Sequence, residues 1–110
     1  MEEYWEREMR QRALVTYVLD DYRTGRSGLR RLAEDLYSLS QQFRIAPEAW
    51  TSELQAEANG LESLYAIALD RGIAHDLPEE YLRHADEAVT RVQAMLLQLD
   101  PPPDDEDGHG

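Results

Sequence analysis

The sequence predicts an all-α fold: an antiparallel four-helix bundle over residues 1–99, followed by a disordered acidic tail over residues 100–110. Two observations support this prediction. Four segments repeat apolar residues at intervals of three and four, and no segment shows the strict alternation of a half-buried strand. Glycine or proline separates neighbouring segments, which is typical of short connections. Helices joined by short connections pack most simply as an antiparallel bundle.

The first predicted helix covers residues 2–23, and its apolar stripe is clearest in the second half. The stripe consists of Trp5, Met9, Leu14, Val15, Val18, Leu19 and Tyr22. Residues 24–28 end the helix, because two glycines within five residues favour a turn.

The second predicted helix covers residues 29–43, and Ser27 is available as its N-cap. The third covers residues 47–70. Pro47 suits its first position, because the missing N–H of proline would have no helical partner there. Gly72 follows where a glycine cap belongs.

Gly60 is the weak point of the third helix, because an interior glycine costs about 1 kcal/mol relative to alanine unless close packing requires it. The fourth helix starts near Pro78 and carries an uninterrupted apolar stripe to Leu99. Three prolines and four consecutive acidic residues then follow within residues 100–107. That composition cannot form a core and predicts a disordered tail.

The composition excludes several classes of protein. A chain of 110 residues is the size of one domain, and its net charge of −12 opposes binding to nucleic acid or to an anionic membrane surface. All eleven basic residues are arginine, and cysteine is absent, so disulfides and thiolate ligands are excluded. The N-terminal residues have no apolar region, and no stretch could span a bilayer. We therefore expect a soluble cytoplasmic protein.

The acidic charge is unevenly distributed along the chain. Residues 1–47 contain eight acidic residues and eight arginines, whereas residues 48–110 contain fifteen acidic residues and three arginines. Five of these fifteen lie in the tail, so the third and fourth helices carry a net charge of −7. The sequence thus predicts one negative face, which suits a basic protein partner.

Catalytic and metal-binding patterns are weak. Glu80 and His84 are four residues apart on one helical face, but the third helix has no matching pair, so we predict neither a metal site nor a cofactor. Glu57 is the one carboxylate that we identify at the inner edge of an apolar stripe. We expect it to extend to water or to pair with an arginine of the first or second helix. No serine has a histidine at a suitable spacing, so we predict no catalytic residue and no enzyme activity.

Tyr17 differs from the other aromatic residues, whose spacing is typical of a core. It stands about 100° from Val18 and nearly opposite Val15 around the first helix. We therefore expect Tyr17 to be exposed, and exposed aromatic groups are frequent in protein-binding hot spots.

A family resemblance accompanies these patterns. The first helix ends in VTYVLDDY at residues 15–22, a GRSG turn follows at residues 25–28, and the later helices are acidic. The second helix carries Leu29, Leu32 and Leu36. Over roughly residues 13–99 the chain resembles the small acidic helical immunity proteins of bacterial toxin systems, especially colicin-type proteins that block tRNA-cleaving nucleases. The resemblance implies a helical bundle whose carboxylates stand in for substrate phosphates at a nuclease's cationic active site, and it assigns no individual residue.

The leading hypothesis is therefore an immunity or inhibitor protein that occludes the basic active site of a nuclease-type toxin. The residues that we expect to bind this partner are Glu53, Glu57, Glu62, Glu80, Asp86, Glu87 and Tyr17. The alternative is a non-catalytic structural or assembly protein that forms homo-oligomers through apolar residues exposed on the first helix.

Overall fold

The computed structural model describes residues 2–103, and within that range it contains four helices and no strand. The helices are α1 (Glu2–Arg23), α2 (Leu29–Ser40), α3 (Glu48–Asp70) and α4 (Glu79–Gln98). The all-helical fold is therefore confirmed. None of these helices contains an apolar run that could cross a bilayer. Of the predicted tail, residues 100–103 are exposed and not helical, and residues 104–110 lie outside the described part of the chain.

Glycine ends two of the helices in the same way. Gly25 follows α1 with a φ of 81°, and Gly72 follows α3 with a φ of 74°. At α3 the N–H of Gly72 donates to the Leu69 carbonyl and the N–H of Ile73 donates to the Ala68 carbonyl, which is the Schellman arrangement. The glycine cap predicted at Gly72 is thus present, because glycine adopts positive φ without a steric penalty.

The second helix differs from its prediction at both ends. Gly28, and not Ser27, is its N-cap, and no side chain caps it. The helix ends at Ser40, three residues before the predicted end. The Ser40 hydroxyl donates to the Tyr37 carbonyl. Phe43 is nevertheless buried, because it packs edge-on against Trp50 with ring centroids 5.0 Å apart. The predicted stripe of the second helix therefore includes an apolar residue, Phe43, that lies in the connection between α2 and α3.

The core receives side chains from all four helices. Its buried members are Val15, Leu19, Leu29, Leu32, Ala33, Leu36, Phe43, Trp50, Leu54, Ala58, Leu61, Ala85, Ala88, Val89, Val92 and Met95. The first helix contributes two of these, both from its second half. Met9 and Leu14, which we expected in the stripe of the first helix, are instead exposed at 38% and 40%.

Neighbouring helices in the chain pack together, and α1 also packs on α4. Two hydrogen bonds join the ends of α3 and α4. The indole N–H of Trp50 donates to the Met95 carbonyl at 2.8 Å, and the Arg71 guanidinium donates to the Tyr81 hydroxyl at 3.0 Å. The start of α3 therefore lies beside the end of α4, and the end of α3 lies beside the start of α4.

Glu8 is a buried carboxylate on α1, with 1% of its surface exposed. It accepts hydrogen bonds from three consecutive backbone N–H groups in the connection between α2 and α3. The donors are Arg44, Ile45 and Ala46, at N···O distances of 2.9, 3.1 and 2.6 Å. Backbone donors in a non-helical segment need acceptors, and a carboxylate is the strongest acceptor that a side chain offers. The interaction therefore fastens the first half of α1 to this connection.

We predict that Glu8→Gln lowers the free energy of unfolding by about 1–3 kcal/mol, because the amide keeps one acceptor oxygen and directs an N–H₂ group at backbone donors. Urea unfolding followed by circular dichroism measures the change. Glu6→Gln is the matched control, since Glu6 is an exposed residue of the same helix. Equal stability of the two variants would show that the Glu8 contacts contribute nothing.

Candidate functional site

The six acidic residues predicted to bind a partner are divided between α3 and α4. The α3 members are Glu53, Glu57 and Glu62, and the α4 members are Glu80, Asp86 and Glu87. All of them are exposed except Glu57, which is partly buried. We call these six residues the acidic set.

Four members of the acidic set lie along the boundary between α3 and α4. Arg91 of α4 donates two hydrogen bonds to the Glu57 carboxylate, at 2.7 and 3.0 Å. These hydrogen bonds raise the pKa of Arg91; partial desolvation opposes the rise, and the charges of Glu57 and Glu87 add to it. Glu53 lies one turn before Glu57, and Glu80 lies two turns before Glu87, so each pair shares one side of its helix.

Glu57 therefore has a different partner from the one expected. We expected water or an arginine of the first or second helix, and the structure provides an arginine of α4. The pair neutralises one carboxylate of the acidic set and connects two helices.

Glu62 and Asp86 lie on other sides of their helices. Glu62 lines a small cavity together with Arg30 and Glu34 of α2. Asp86 lines the same groove as Tyr22 of α1, and its charge contributes to the raised pKa of that tyrosine. The structure thus joins Glu57 to α4, and helical spacing places Glu53, Glu80 and Glu87 on the same sides of their helices as this contact. Glu62 and Asp86 lie beside α2 and α1.

The ion pairs of residues 2–103 do not cross between the two halves of the chain. In the first half, the pairs are Arg26 with Asp21, Arg30 with Glu34 and Arg31 with Asp35. In the second half, Arg91 pairs with Glu57, and His84 lies 3.9 Å from Glu87. Within the described range, no arginine of the first half pairs with an acid of the second. The net charge of −7 on residues 48–99 is therefore not offset by direct ion pairs from α1 or α2.

Tyr17 is 61% exposed on the outer surface of α1. Leu14, three residues earlier, is also exposed, and the two side chains are neighbours on one helical face. This face is opposite the buried residues Val15 and Leu19. Tyr17 thus lies on a different helix from the acidic set.

A groove of about 1000 Å³ lies at one end of the helices, between the α1–α2 turn and the α3–α4 connection. We call it the end groove. Its lining residues include Tyr22, Arg23 and Arg30 from the α1–α2 side, Tyr65 from α3, and His75, Asp76, Leu77, Leu82 and Asp86 from the α3–α4 side. The sequence pattern did not reveal this groove, because its lining residues come from several separate segments.

Tyr22 lines the end groove, and its surroundings alter its acidity. Burial raises the pKa of its hydroxyl above the ordinary value of 10.0, and the charge of Asp86 raises it further. The shift extends the pH range over which the hydroxyl stays protonated to values above 10.0. Within residues 2–103, the end groove included, no three His, Asp or Glu side chains are grouped as a metal ion requires.

Comparison of the chain with protein-family models, with curated proteins and with solved structures finds no match.

We predict that Asp86→Asn lowers the pKa of Tyr22 but leaves it above 10.0, because burial is the larger cause of the shift. A ¹³C NMR titration of the tyrosine rings measures the change, with Tyr22→Phe providing the assignment. Glu87→Gln is the control, because the charge of Asp86, and not that of Glu87, acts on Tyr22. An unchanged Tyr22 pKa in Asp86→Asn would contradict the contact.

The same shift predicts a dependence of stability on pH. Because the folded pKa of Tyr22 is raised, its contribution to stability is complete below pH 10.0 and is lost as the pH rises through the folded value. The loss of unfolding free energy above pH 10.0 should therefore be smaller in Tyr22→Phe than in the unaltered protein.

Proposed function

We propose that this protein is an immunity or inhibitor protein that binds a basic protein partner, a nuclease-type bacterial toxin, and covers its active site. One observation carries this proposal: ion pairs among the described residues stay within each half of the chain, so no arginine of α1 or α2 directly pairs with an acid of α3 or α4. A surface of this charge attracts a cationic protein and repels nucleic acid. The proposed place of action is the cytoplasm.

The proposal includes an antiparallel arrangement of the four helices. Support comes from contacts whose residue numbers rise on α3 and fall on α4: Trp50 with Met95, Glu57 with Arg91, and Arg71 with Tyr81. The contact of Glu8 with residues 44–46 supports an antiparallel arrangement of α1 and α2 as well. In this arrangement α3 and α4 lie side by side, and their acids form adjoining surfaces.

Each part of the acidic set has a distinct role in the proposed complex. The exposed carboxylates Glu53, Glu80 and Glu87 accept charge-assisted hydrogen bonds from lysine or arginine side chains of the toxin. Glu57 is already held by Arg91, so it shapes the surface and contributes less charge. Glu62 and Asp86 extend the negative surface towards α2 and α1. Inhibition follows from occlusion and requires no chemistry by this chain.

The charge of α4 should determine the rate of association. The test uses the partner that is retained on the immobilised protein from the native organism and identified by mass spectrometry. We predict that Glu80→Arg combined with Glu87→Arg slows association about tenfold or more at low salt, and that the difference shrinks as salt screens the charges. Stopped-flow kinetics at several salt concentrations measures both effects.

The matched control is Glu3→Arg combined with Glu6→Arg, which changes the total charge equally at two exposed positions of α1. We expect this control to slow association much less. Equal rates for the two double variants, or rates that do not depend on salt, would contradict recognition through α4.

A second candidate function is a structural or assembly protein that self-associates through α1. The specific observation in its favour is the neighbouring pair Leu14 and Tyr17, both exposed on the outer face of that helix. Apolar groups at i and i+3 form a continuous contact surface that a second copy could cover.

For this second candidate we predict a mass that increases with protein concentration in sedimentation experiments. Leu14→Ser combined with Tyr17→Ser should restore the monomer, because it removes the apolar contact area. Leu97→Ser is the control, since Leu97 is exposed at 87% on a different helix. A constant monomer mass at every concentration would eliminate self-association.

A further inference from the structure

We propose that the end groove receives an arginine side chain of the basic partner, with Asp86 as the acceptor of the guanidinium and the rings of Tyr22 and Tyr65 as its walls. This inference rests on the proposed function, because it identifies where a basic partner inserts a side chain. It concerns a different surface from the boundary between α3 and α4. Of the acidic set, the end groove contains Asp86 alone.

The size and position of the groove suit such a ligand. Its volume of about 1000 Å³ is at the upper end of the range for binding pockets, so it can hold an arginine together with neighbouring atoms of a partner loop. Its lining residues come from the α1–α2 turn, from the α3–α4 connection and from the helices beside them. A loop can therefore approach without displacing a helix.

The charges of the groove favour a cation on its α4 side. Asp76 and Asp86 both line the groove, and neither pairs with an arginine within the described residues. Arg30 lines the opposite side, but its guanidinium donates to Glu34 at 3.0 Å, so its charge is balanced there. Arg23 is the other arginine of the lining, and we expect its charge to direct an incoming guanidinium towards Asp86.

The aromatic and apolar lining suits the rest of an arginine side chain. Tyr22 and Tyr65 are partly buried and line the groove from two different helices. A guanidinium gains energy when it lies over a tyrosine ring, and more so where water is partly excluded. Leu77 and Leu82 line the same groove and can cover the methylene groups of the side chain. Asp86 lines the groove together with Tyr22, and its negative charge adds to the raised pKa of the tyrosine hydroxyl.

The test uses the full chain labelled with ¹⁵N and the probe N-acetyl-arginine amide. We expect the probe to shift the backbone amide signals of Gly25, Gly28 and Ala74, which line the groove. In Asp86→Asn the affinity for the probe should fall several-fold. Glu79→Gln is the matched control, because Glu79 is an exposed acid of α4 outside the groove, and it should leave the affinity unchanged. Circular dichroism checks that both variants are folded.

N-acetyl-glutamate amide is the probe of opposite charge, and we expect it to leave these signals in place. Shifts caused by the glutamate probe and not by the arginine probe would overturn the proposal, because Arg23 and His75 would then be the binding groups. The absence of shifts with either probe, or equal affinity in Asp86→Asn, would also overturn it. If the arginine probe fails while charge reversal on α4 still slows association, the groove proposal is wrong and the proposed function stands. If the probe binds but charge reversal has no effect, the groove binds arginine, and recognition through the charge of α4 is wrong.

Discussion

The contact between the Glu8 carboxylate and three backbone N–H groups is the constraint on which the arrangement of α1 depends. Residues 44–46 form no helix, so their donors need acceptors from elsewhere in the molecule. Apart from this contact, α1 contributes two fully buried apolar side chains, Val15 and Leu19, among the described residues. A buried carboxylate without these donors would be strongly unfavourable. Glu8 therefore needs the backbone N–H groups of the connection, and those groups need Glu8 as their acceptor. This polar contact holds the first half of α1 against the rest of the molecule, whereas Val15 and Leu19 hold its second half.

The sequence predicted the helices well wherever periodicity coincided with glycine or proline. The end of α3 was predicted because Gly72 can adopt positive φ. Its start was predicted at Pro47 and lies one residue later, because Pro47 is the N-cap and the helix begins at Glu48. Glu8 was missed because a carboxylate is ordinarily placed on the surface. A signal was nevertheless present: Glu8 lies seven residues before Val15, on the same side of the helix.

The candidate site was less predictable than the fold, because it depends on how the helices are positioned against one another. The periodicity of one helix shows which side is polar, and so Tyr17 could be identified as outward-facing. It does not show which residue of the next helix lies opposite. The sequence therefore predicts an arginine of the first or second helix as a possible partner of Glu57, whereas Arg91 of α4 forms the ion pair. The end groove was beyond sequence reasoning for the same reason.

The hydrogen bond from Trp50 to the carbonyl of Met95 has a practical consequence for the design of fusions. It holds the last turn of α4 beside the start of α3, close to the connection that Glu8 fastens. The C-terminal end of α4 therefore lies at the opposite end of the molecule from the turn at Gly25. A fluorophore or a tether attached after Leu99 would therefore lie at the end of the molecule opposite to the end groove.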